Sequence, residues 1–75
     1  MNKPLIKEAL SEISVLTNMY KMTINPRLVG DFLANIAVGD KSSAKVLWNS
    51  RVRDRLYSCG MDDVLVGEID NYLEG

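Results

Sequence analysis

The sequence predicts an all-α fold, a compact bundle of four short helices. Two observations carry the prediction: apolar residues recur at three- and four-residue spacing over most of the chain, and these runs are bounded by helix caps and glycines. No segment alternates apolar and polar residues with period two between turn signals, so a sheet is not expected. The 75 residues form one domain, 1–75, with no internal repeat, low-complexity tract or linker.

Each helix has its own punctuation. The first opens at Pro4, a residue suited to the first helical position, and bears Leu5, Ile6, Ala9, Leu10, Ile13, Leu16, Met19 and Tyr20 on one broad stripe. The second starts in INPRLV, with Asn25 as N-cap, Pro26 as first residue and Ile24 placed to staple onto Val29, and it ends near Gly39. The third is capped by Asp40, runs from Lys41, and stops where Gly60 can take a left-handed conformation. The fourth is capped by Asp62, with Met61 set to staple onto Val66 and two carboxylates at its positive end.

Composition excludes several chemistries. One cysteine, Cys59, rules out an internal disulfide framework, and the absence of histidine argues against zinc and against nucleophilic catalysis by a histidine-activated Ser or Cys. Asp62 and Asp63 are adjacent at a helix start and read as capping residues rather than as an acid/base pair. AVGDKSSAK has neither the spacing of a phosphate-binding loop nor a strand before it. The expectation is a protein that is not an enzyme, with no cofactor and no metal. A single thiol and the absence of a long apolar run predict a cytoplasmic protein that does not enter a membrane.

Charge is distributed unevenly. All nine Lys and Arg lie in residues 1–60 against five acids, and residues 61–75 hold five acids and no base. The two ends are therefore expected to attract one another. Within the third helix, SRVRDRLYSCG places Arg51, Arg53 and Arg55 at every second position. At about 100° per residue, Ala44, Leu47, Trp48, Val52, Leu56 and Cys59 share one arc. Arg51 and Arg55 fall within that arc, where they require an internal carboxylate such as Glu68 or Asp70, or a bound anion; Lys41 and Lys45 belong to the same set of anion-binding or ion-pairing groups. Arg53 falls on the opposite side with Val46 and Tyr57 and is the predicted partner-binding arginine.

Two helices have apolar matter on more than one side. Behind its main face of Leu28, Val29, Phe32, Leu33 and Ile36, the second helix carries a stripe of small residues, Gly30, Ala34 and Ala37, that predicts a homo-oligomer interface. Length and helix count are similar to those of acyl carrier proteins, but their Asp-Ser-Leu-type motif opens an acidic helix. GDKSSAKVL separates Asp40 from Ser42 and opens a basic one, so that resemblance ends there. The functional expectation is a non-catalytic module that binds a larger protein, of the regulatory or inhibitory kind for which viral and mobile-element accessory proteins are a common source. Two alternatives are a nucleic-acid binder using helix 41–58, and an oligomeric binder of a small anion such as a nucleotide held by Arg51 or Arg55 across subunits. A pI near 5.2 and a poor match to helix-turn-helix spacing weigh against the nucleic-acid reading.

Overall fold

Helix-capping side chains divide the chain into an all-α bundle. A computed structural model describes residues 5–75, so the expectation for Pro4 lies outside the described residues. The elements are α1 (Leu5–Met19), α2 (Pro26–Ala37), α3 (Lys41–Leu47), a π-helical turn (Trp48–Val52), α4 (Arg53–Ser58) and α5 (Asp63–Glu74). α3, the π turn and α4 run on without a break, so the bundle has four rods, as the sequence predicts.

The expected caps form by local hydrogen bonding. Asn25, Asp40 and Asp62 accept from the backbone N–H groups of Arg27, Ser43 and Val64, respectively. The bond from Ser43 also holds the Asp40 carboxyl below its usual range. Gly39 and Gly60 follow the second and third rods with φ of 81° and 96°, a region that side-chain-bearing residues adopt with strain. The four residues placed to form staples, Ile24, Val29, Met61 and Val66, are all buried in the core.

One core joins all four rods. Its largest fully buried members are Trp48, Phe32, Ile13, Ile24, Leu56, Ile69 and Val52, with Trp48 stacked on Phe32 at 5.4 Å between ring centroids. α1 lies along α5, and α2 lies along α3 and the π turn. The stripe predicted for the first helix is buried through Ala9, Ile13 and Leu16, but Leu5, Met19 and Tyr20 at its ends are exposed. Thr17 is the buried polar residue of this helix, and its hydroxyl donates to the Ile13 carbonyl at 2.7 Å.

Candidate functional site

The third rod carries most of the chain's unusual chemistry, and its middle is not a regular α-helix. Ala44, Trp48, Val52 and Leu56 are all buried, at strict four-residue intervals. On a regular helix each such interval turns the stripe about 40° further round the axis. Here the Arg53 N–H donates to the Trp48 carbonyl five residues back, and the widened turn slows the rotation and brings Val52 and Leu56 back over the core. Ser50 Oγ donates to the Val46 carbonyl at 2.6 Å, giving that carbonyl a hydroxyl partner at the start of the widened turn.

The retarded rotation reassigns the arginines. Arg53 swings to the flank facing α5 and forks onto Asp70: Nε lies 3.0 and 3.2 Å from Oδ1 and Oδ2, and Nη2 lies 2.9 Å from Oδ2. Trp48 Nε1 donates to the same Asp70 Oδ1 at 2.6 Å. One carboxylate thus satisfies the indole of the central core residue and neutralises an arginine. The Arg53 guanidinium holds the Asp70 carboxyl below the usual carboxylate range and the Trp48 indole adds to this, while partial burial opposes both. Asp70 in turn raises the affinity of Arg53 for its proton.

This corrects the expectation for all three arginines. Arg53, expected to project away from the core, is the paired one, whereas Arg51 and Arg55, expected within the apolar arc, are exposed. No carboxylate of the described residues lies within ion-pairing distance of Arg51 or Arg55. The cause is the π turn, which a constant rotation per residue does not anticipate. Arg51→Ala and Arg55→Ala are accordingly expected to stay within about 0.5 kcal/mol of the parent in urea unfolding. Arg53→Ala, which breaks a half-exposed fork, is expected to cost about 1 kcal/mol.

A groove of about 430 Å³ runs beside this cluster between the third rod and α5. Lys45 closes one end through an ion pair with Glu74 at 3.3 Å, both side chains being well exposed. Lys41 sits over the Tyr72 ring at 4.4 Å. Of the basic residues expected to hold an anion, Lys45 therefore has an internal carboxylate and Lys41 an internal aromatic face. The attraction between the basic and acidic parts of the chain is realised within the fold through Lys45–Glu74 and Arg53–Asp70.

Val46 and Tyr57 are 66% and 55% exposed on the third rod. Cys59 is half-buried against the core at the end of that rod. Gly30, Ala34 and Ala37 are exposed on α2, and a Cβ at Gly30 would meet no heavy atom within 4 Å. A shallow groove of about 210 Å³ between α1 and α2 includes Gly30, Leu33 and Thr17 in its lining. What sequence reasoning missed is the convergence of Trp48 and Arg53 on Asp70. The signal available was the indole N–H at the centre of an apolar arc, a donor that needs a buried acceptor.

Among the described residues no helix is long and apolar enough to cross a membrane. Comparison of the chain with protein-family models, curated proteins and solved structures gave no match.

Proposed function

We propose that the chain is a non-catalytic protein-binding module of regulatory or inhibitory type, acting in the cytoplasm through the outer side of its third rod. The observation that carries this reading is the joint exposure of Val46 and Tyr57 on a rod that also presents Arg51 and Arg55 without internal carboxylates. Exposed Val and Tyr side chains on one rod with two exposed guanidiniums match the composition of protein-contact surfaces, where Tyr and Arg supply much of the binding energy. The partner surface that fits is apolar at its centre with carboxylates on one flank. The two internal ion pairs count against a phosphate-binding helix, because they neutralise Lys45 and Arg53 and leave a short basic segment on an acidic protein. Self-association through Gly30, Ala34 and Ala37 belongs to the same proposal, and sedimentation at tens of micromolar tests it separately.

The test is affinity capture from the native host, followed by titration of the purified partner against variants. Tyr57→Ala and Val46→Glu are expected to weaken binding by tenfold or more, about 1.4 kcal/mol, with unchanged melting curves. Binding that ignores both substitutions but falls steeply with salt and disappears in Arg51→Glu/Arg55→Glu would replace this reading with the nucleic-acid alternative.

A further inference from the structure

The spacing of the core shows what the third rod needs to fold. A regular helix keeps an apolar stripe on one face with alternating steps of four and three residues, whereas Ala44, Trp48, Val52 and Leu56 are separated by four, four and four. Removing one residue between Trp48 and Val52 turns this into four, three and four. That is an eleven-residue span which returns to within about 20° of its starting face on an unwidened helix. The residues in this interval, Asn49, Ser50 and Arg51, are exposed at three successive positions, so none of them fills the core. Arg53 and Asp70 keep their mutual position under the same operation, because everything after the widened turn already sits where a helix one residue shorter would put it.

We infer that the third rod holds one residue more than its core requires, and that the π turn is this surplus residue displayed on the exposed side. It is an insertion that acts on the surface alone. Its significance for binding rests on the assignment of that side to the partner, but the inference about the helix stands independently. Val46 precedes the insertion and Tyr57 follows it, and both are retained in the shortened helix, so the insertion alters the exposed residues 49–51 between them.

Deletion of Ser50 tests this, with deletion of Ser14 as control. Both serines are exposed and lie inside helices, but Ser14 sits in the regular helix α1 between the buried residues Ile13 and Leu16. The Ser50 deletion is expected to melt cooperatively within about 5 °C of the parent, whereas the Ser14 deletion is expected to lose about 15 °C or more, or its cooperative transition. Methyl and indole NMR signals of Trp48, Val52 and Leu56 should stay near their parental positions in the Ser50 deletion, with shifts concentrated at residues 46–54 on the outer side. A Ser50 deletion that melts as poorly as the Ser14 deletion would show that the core needs the widened turn. Wholesale displacement of the core signals would show that the turn is not a local surface feature. Either result overturns the inference, and neither depends on a partner.

Discussion

Trp48→Ala is expected to cost about 3–5 kcal/mol, which is most of the stability available to a domain of this size. Trp48 is 1% exposed, stacks on Phe32, and is the point where α2, the third rod and α5 meet. Truncation removes the largest buried side chain and opens a cavity that three packed helices cannot close without losing other contacts. It also removes the donor that Asp70 Oδ1 accepts at 2.6 Å. Trp48→Phe separates these contributions, because it keeps a ring against Phe32 but has no N–H, and it is expected to cost about 1–2 kcal/mol. Urea unfolding followed by far-UV circular dichroism measures both variants without relying on the lost fluorophore. A Trp48→Ala protein within 1 kcal/mol of the parent would mean that the indole is not the centre of the core.

The helix ends were legible in the sequence and the middle of the third rod was not, for a physical reason. Asn25, Asp40 and Asp62 cap through bonds to residues two or three positions away, and Gly39 and Gly60 act through their own φ, so each signal is local and complete in the sequence. The faces of Arg51, Arg53 and Arg55 depend instead on the rotation accumulated from Trp48 onward. One widened turn displaces all of them together, moving two arginines out of the apolar arc and the third into contact with α5. A trace of this was present. Apolar residues at 44, 48, 52 and 56 drift across about 120° of a regular helix, and a regular helix would also have set Arg51 and Arg55 against the core. One widened turn between Trp48 and Val52 resolves both. Val46 precedes the widened turn and Tyr57 follows it, turning with Arg53, and both are exposed.

Asp70→Ala is expected to destabilise the fold by about 2–3 kcal/mol, more than Arg53→Ala, although the two residues form one ion pair. The asymmetry follows from burial. Removing Arg53 leaves a carboxylate that still accepts from Trp48 and reaches solvent, whereas removing Asp70 leaves the indole N–H of a residue 1% exposed without its acceptor. Asp70→Asn, which retains an acceptor oxygen but no charge, should recover about half of the loss. In a double-mutant cycle, Arg53→Ala and Asp70→Ala together are expected to cost less than their sum by about 1 kcal/mol. The same node predicts the acid limb of the stability profile. The folded-state proton affinity of Asp70 is depressed, so its contribution is complete above the unfolded carboxyl value of about 4 and is lost as pH falls from there through the lower folded value. Urea midpoints of the parent should therefore be flat with respect to this group near neutrality and decline below about pH 4, with a shallower decline in Asp70→Asn. Equal costs for Asp70→Ala and Arg53→Ala would show that the ion pair, and not the indole, is what Asp70 serves.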